Sequence, residues 1–239
     1  MRVCVIMPAY NEADSVRGVV EKVKENAPGT EVVVINDGSS DKTQQQAELA
    51  GARVLSLPFN LGIGGAVQTG LKYAYRRGYD VAVEVDADGQ HDPVYIPMLV
   101  DKLLSDNLDM VIGSRFVTNT TYHSSWLRLI GIRLFSLLIK LVTGERIYDS
   151  TSGYRAYNRR ALEFLSRRYP TDFPEPESIV MLLNAGFSID EVPTTMSRRQ
   201  AGKSVVGNSD VTSRAAYFVV SNAIAILVSS LKVKRSNVS

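Results

Sequence analysis

Two aspartates one residue apart, Asp86 and Asp88, directly follow a short apolar run at residues 81–85. Residues i and i+2 of an extended chain point the same way, so a strand ending here delivers both carboxylates to one side of a sheet edge. Charge in that place is costly without a compensating cation. A hard divalent ion, Mg²⁺ or Mn²⁺, held by one or two carboxylates and completed by phosphate oxygens and water, answers both the geometry and the charge. Gln90 and His91 follow within three residues and add an amide oxygen and an imidazole. His91 is expected to orient this loop rather than to ligate. A pair of aspartates also occurs in ordinary turns, and the place after a buried strand is what gives this one weight.

Two other polar runs follow apolar ones. Asn36-Asp37-Gly38-Ser39-Ser40-Asp41 has the residue types of a turn leading into a capped helix, with Ser40 or Asp41 as N-cap. Asp37 stands apart, because a carboxylate at a strand end can hydrogen-bond a base or a ribose. Pro8-Ala9-Tyr10-Asn11-Glu12 ends the first run, and Glu12 and Asp14 have a simpler reading as caps of a helix beginning near Ala13. Cations gather further on. Ten Lys/Arg stand against three acids between Met110 and Arg168, although the whole chain carries 27 Lys+Arg and 25 Asp+Glu for a net charge of +2. Such asymmetry implies that one face meets an anion or an anionic surface, while the near-zero total gives no sign of nucleic acid as partner.

The elements that must position these residues are legible as an alternation. Apolar, β-branched runs at 3–7, 31–35, 53–57, 81–85 and 110–112 read as strands. Helical patterns at about 13–26, 41–50, 64–76 and 93–105 lie between them. The result is a Rossmann-like α/β fold with a mainly parallel sheet flanked by helices, whose ligands sit at the carboxyl ends of the strands. Composition agrees: 239 residues, 45% hydrophobic and 22% charged, exclude disorder, collagen and a disulfide scaffold. Cys4, the sole cysteine, lies in the first apolar run and reads as a core residue of a reducing compartment. Gly65 to Lys72 approaches a phosphate-binding P-loop, but Leu71 stands where the lysine is required. Gly62 and Gly64 lack the third glycine of a dinucleotide fingerprint, since Val67 holds that place.

Taken in order, the runs at 8–12 and 35–41, Asn60-Leu61-Gly62-Ile63-Gly64-Gly65, the run at 86–91, Gly113-Ser114-Arg115-Phe116 and Thr151-Ser152-Gly153-Tyr154-Arg155 resemble family 2 glycosyltransferases. The nearest likeness is to the branch of dolichol-phosphate mannose synthases and bacterial polyprenyl-phosphate glycosyltransferases, over about residues 3–204. The resemblance implies a GT-A fold, an inverting mechanism, a nucleotide-sugar donor, a polyprenyl phosphate acceptor and a divalent metal. By position, it implies that Pro8, Ala9, Tyr10, Glu12 and Asp37 hold the base and ribose, that Asp86 and Asp88 bind ribose and metal with Gln90 as a further metal ligand, and that Ala87 belongs to the donor-binding residues. Arg115 and Arg128 resemble the arginines that receive the acceptor phosphate, a role suited to planar, permanently charged guanidinium groups. Arg199 and Lys203 match a basic loop that closes over the donor diphosphate. A phosphate monoester is already largely ionised near neutral pH, with a second pKa of about 6, and needs no strong base. A sugar hydroxyl acceptor on a lipid-linked glycan needs one, and Asp149 is the candidate.

Residues 125–142 carry an apolar face bordered by Arg128, Arg133 and Lys140 and headed by Trp126, the pattern of a helix lying on anionic lipid. An ordinary core helix is the alternative. Residues 215–231 are mostly apolar, and as a helix they reach only about 26 Å against a hydrocarbon core of roughly 30 Å. They are expected to lie on the membrane or to pack on a partner, such as a small membrane protein. The partition is thus a GT-A domain at 1–207 and a membrane- or partner-associated helix with a basic tail at 208–239. A peripheral enzyme on the cytoplasmic side of the membrane follows. The Gln-x-x-Arg-Trp run of processive synthases is absent, and a non-catalytic membrane-surface subunit is opposed by intact Asp86, Asp88, Gln90 and Arg115. His123 reads as a loop residue near the acceptor path, and Glu175 and Glu177 as the first turn of a helix. The choice among UDP-glucose, UDP-N-acetylglucosamine and GDP-mannose stays open, as does homo-oligomerisation.

Overall fold

Apolar residues at both odd and even positions of the first strand require cover on both of its faces. The structure, a computed structural model, describes residues 1–117, 126–170 and 174–197, with residues 126–129 as backbone only. Strand β1 (Val3–Ala9) turns Cys4 and Ile6 to one side and Val5, Met7 and Ala9 to the other, and all five are buried. Strands β2 (Glu31–Asn36) and β4 (Val81–Glu84) divide in the same way. Around them lie β3 (Arg53–Ser56), β5 (Met110–Ser114), β6 (Arg155–Asn158) and β7 (Ile189–Pro193). Among the described residues these seven form one sheet in the order β3-β2-β1-β4-β6-β5-β7. Pairings are parallel except those of β6 with β4 and β5.

That single reversal matters for the site. Because β6 runs against its neighbours, its first residue, Arg155, pairs with Glu84 and Ile112 near the ends of β4 and β5. The loop before β6 therefore joins the carboxyl edge where the other strands end.

Helices α1 (Val16–Asn26), α2 (Thr43–Leu49) and α4 (Ile96–Ser105), the last entered through a 3₁₀ turn at Pro93–Tyr95, cover one face. In α1 the valines at 16, 19, 20 and 23 recur at helical spacing and all are buried. The other face carries α3 (Gly62–Arg76), α5 (Trp126–Thr143), α6 (Arg159–Arg167) and α7 (Pro174–Asn184). At Gly70 a Cβ would stand 3.0 Å from both the Ile6 and Ile35 side chains, so glycine lets α3 lie close on the sheet.

Helix α5 is two-sided. Ile132, Phe135 and Ile139 are buried in the core, whereas Ile130, Leu134, Leu137 and Leu141 form an exposed apolar stripe, 38–71% accessible, beside exposed Arg133 and Lys140. Among the described residues no helix is long and apolar enough to cross a membrane.

Boundaries differ modestly from expectation. Helix α1 starts at Val16, where Ser15 is the N-cap and Glu12 accepts from the Ser15 hydroxyl at 2.9 Å. For α2 the N-cap position is Lys42, and Asp41 acts from one residue earlier by accepting the Thr43 amide at 2.9 Å. The domain boundary at 207/208 and the segment 208–239 lie outside the described residues.

Candidate active site

The loops after β1 and β2 are stitched to one another by short polar side chains. Asn11, in the left-handed conformation at φ 54°, accepts the Ser40 amide at 2.9 Å and donates its own amide to the Ser39 hydroxyl at 3.0 Å. The Glu12 amide donates to Thr43 Oγ1 at 2.8 Å, and the Ala13 amide to Asp41 at 3.1 Å. Asp37 is buried, and its two oxygens accept the amides of Leu61 and Gly62 at 2.7 and 2.9 Å, at the start of α3. Gly38 makes that approach feasible: at φ +68° it has no side chain, and a Cβ there would lie 2.7 Å from the Asn60 nitrogen. Thus a carboxylate is held by backbone N–H groups at a helix start, the favourable place for negative charge. Tyr10 is half-exposed and Glu12 buried on the same edge.

Asp86 and Asp88 follow β4 and arrive at the centre of this edge. Asp88 is buried and accepts the Gln90 amide at 2.9 Å, while the Asp86 side chain is one-third exposed. His91, buried and stacked on Tyr154 at 4.8 Å, accepts the Asp86 amide on Nδ1 at 3.0 Å. Burial lowers its pKa to about 4, so the ring is neutral at pH 7 and its proton sits on Nε2, 3.5 Å from Asp86 Oδ2. His91 accordingly orients the aspartate loop. Among the described residues no three His, Cys, Asp or Glu side chains converge as a metal cage. Asp86, Asp88 and Gln90 in this loop carry oxygen donors. A hard cation that keeps water and phosphate oxygens in its shell fits such a set.

Arg115 follows β5 and is buried with a carboxylate partner. Its Nε and Nη2 donate to the two oxygens of Asp149 at 2.7 and 2.6 Å, and Nη2 also reaches Thr151 Oγ1 at 2.8 Å. The Arg115 amide donates to Asp149 as well, at 3.0 Å. Such a two-point pair holds the guanidinium in one plane. Asp149 is itself placed by Glu191 on β7, whose oxygens accept the Tyr148 and Asp149 amides at 2.6 and 2.8 Å. Burial raises the Glu191 pKa above the usual carboxylate range, against the pull of these amides.

A glycosyl transferase family 2 model matches residues 4–165. The chain belongs to glycosyltransferase family 2. It is 35% identical over 223 residues to the polyprenol monophosphomannose synthase of Mycolicibacterium smegmatis, covering 88% of this chain and 83% of that protein. It is 32% identical over 220 residues to the undecaprenyl-phosphate mannosyltransferase of Micrococcus luteus, covering 85% and 87% respectively. In fold it matches the glucosyl-3-phosphoglycerate synthase of Mycobacterium tuberculosis, solved with Mn²⁺, UDP and glucosyl-3-phosphoglycerate, at a TM-score of 0.69 and 22% identity over 94% of this chain and 79% of that one. The fold is GT-A.

Within this family 2 glycosyltransferase the structure brings Pro8–Glu12, Asp37, Asp86–Gln90 and Arg115 to one sheet edge. Arg199, Lys203, His123 and the Arg128 side chain lie outside the described residues. Asp149, the candidate base for a hydroxyl acceptor, is fully buried with both oxygens engaged by Arg115. Glu191 escaped the sequence reading, because the Ile-Asp-Glu-Val-Pro run of β7 is too polar to stand out as a strand. Its two acids are adjacent, so the run lacks the period-two pattern of a strand and offered no local signal.

Proposed function

We propose that this enzyme transfers a hexose, with inversion, from a UDP- or GDP-linked sugar to a polyprenyl phosphate, forming a polyprenyl-phosphate sugar at the cytoplasmic surface of a membrane. The observation that carries the reading is the Arg115–Asp149 pair: it supports a fixed cation for an acceptor phosphate and leaves Asp149 poorly suited to act as a base. A phosphate nucleophile needs no base, so placement of the two substrates is most of the work. The names of the two mannosyl-transferring relatives support the same acceptor class.

On the donor side, Pro8, Ala9, Tyr10, Glu12 and Asp37 line the base and ribose subsite, and Arg199 and Lys203 cover the diphosphate. Asp86, Asp88 and Gln90 would hold Mg²⁺ or Mn²⁺, with Ala87 between the two aspartates in the same donor-binding loop. The ion, when bound, neutralises the departing nucleoside diphosphate; the structural neighbours solved with Mn²⁺ or Mg²⁺ and UDP support this assignment. Arg115, with Arg128, orients the lipid phosphate opposite the leaving group. The exposed stripe of α5 with Arg133 and Lys140 supports docking on an anionic leaflet, which brings the lipid phosphate to that edge.

The test is nucleoside diphosphate release by purified protein with GDP-mannose, UDP-glucose or UDP-N-acetylglucosamine, with and without polyprenyl phosphate, in Mg²⁺ or Mn²⁺. Lipid-dependent release from one donor, reduced at least about a hundredfold in Asp88→Ala, is expected. Absence of lipid-dependent release from every donor in detergent and in membranes contradicts the reading.

A further inference from the structure

Among the described residues Arg155 is the largest side chain with no solvent contact. A guanidinium in such a place is costly unless its donors are satisfied, and where they point shows what the burial achieves. Nε donates to the Ser152 carbonyl at 2.7 Å and Nη2 to the Ser150 carbonyl at 3.4 Å. Nη2 also reaches the Glu175 carbonyl at 2.9 Å, and Nη1 the Ser178 hydroxyl at 2.8 Å, both in the first turns of α7. One planar group thus fastens residues 150–152 to a helix that starts more than twenty positions later.

The fastened segment touches both halves of the chemistry. Its first residue follows Asp149, which grips Arg115, and Thr151 accepts from the same guanidinium. Ser152 donates to the Gly113 carbonyl at 2.6 Å, tying the segment to the end of β5 two residues before Arg115. Gly153 lies against the aspartate loop, with its Cβ position 3.7 Å from Asp86 Oδ1 and from the His91 ring. Below, Arg155 pairs in register with Glu84, which accepts the Tyr157 hydroxyl at 2.7 Å.

From these contacts we propose that Arg155 is a positioning residue for the transfer reaction: through the 150–153 segment it fixes the Asp149–Arg115 pair that faces the acceptor phosphate, and sets that pair relative to Asp86. The inference rests on the acceptor role of Arg115 given above. Lysine keeps the charge but has no planar fork, and it cannot hold two carbonyls and α7 together.

Arg155→Lys and the milder Ser178→Ala test it by two readouts. The first is steady-state kinetics with donor and polyprenyl phosphate varied separately. In Arg155→Lys, kcat falls about a hundredfold, the scale of an ångström-level misplacement, while the donor KM moves less than about threefold. Ser178→Ala shifts kcat in the same direction by a smaller factor. The second readout needs no turnover: in ¹⁵N-arginine-labelled protein, the Arg115 Nε–H resonance, assigned with Arg115→Lys, exchanges with solvent faster in both variants, while amides of β1 and β2 keep their protection.

An unchanged Arg115 resonance with unchanged kcat overturns the proposal. So does a uniform loss of protection across β1 and β2 together with loss of donor binding, the signature of a merely structural arginine. If the wild-type enzyme shows no lipid-dependent turnover, the acceptor reading fails, and the Arg115 exchange rate still decides whether Arg155 positions it.

Discussion

The two halves of the edge, assigned above to donor and acceptor, differ in how they hold their central charged groups. At the ends of β1 and β2, Asp37 is held by the amides of Leu61 and Gly62, and Asp41 by those of Ala13 and Thr43 together with the Thr43 hydroxyl. At the ends of β5 and β6 charges are held by other side chains and by carbonyls in full burial: Arg115 by Asp149, and Arg155 by Ser150, Ser152, Glu175 and Ser178. The difference suits two kinds of ligand. In the function proposed above, the amide-held Asp37 serves the nucleoside and the ion-paired Arg115 serves the acceptor phosphate.

The contrast makes unequal demands on stability, and that is where it can be broken. Asp149→Ala removes the carboxylate that neutralises a buried guanidinium, so a loss of about 3–5 kcal/mol is expected, or a fall of roughly 10 °C in the unfolding midpoint for a chain of this size. Calorimetry reads it directly; a shift under about 2 °C means that Arg115 finds another anion and the pair is not what holds it. In the fold, Asp37→Ala removes a helix-start acceptor and costs about 1 kcal/mol. Its kinetic signature sharpens the comparison: the donor KM rises and the acceptor KM stays, because Asp37 belongs to the proposed nucleoside subsite and also holds the 60–62 turn. An acceptor KM that rises instead erases the distinction between the halves.

The two halves also differed in how far the sequence exposed them. Donor-side residues follow strands rich in Val and Ile, each motif lying within six residues of its strand, so local pattern was enough to find Asp37, Asp86 and Asp88. Strands β1 to β5 were legible for the same reason, with ends displaced by one or two residues. Strand β6 was not, since Arg-Ala-Tyr-Asn is short and begins on a charge whose burial only long-range partners explain. Glu191 stands 42 positions from Asp149, and its amide-holding role depends on the parallel pairing of β7 with β5. The two-sidedness of α5 was half visible: periodicity gave an apolar helix, and only packing separated the buried Ile132, Phe135 and Ile139 from the exposed Ile130, Leu134, Leu137 and Leu141.

The division between halves meets its sharpest test at Arg115. In Arg115→Lys, binding of UDP or GDP with Mn²⁺ and sugar transfer to polyprenyl phosphate should be measured on the same preparation. The account predicts nucleoside diphosphate affinity within about threefold of the wild-type value and transfer reduced about a hundredfold, since an ammonium cannot replace the fixed fork at the acceptor phosphate. Transfer at the wild-type rate, or equal loss of nucleotide binding and transfer, would contradict it.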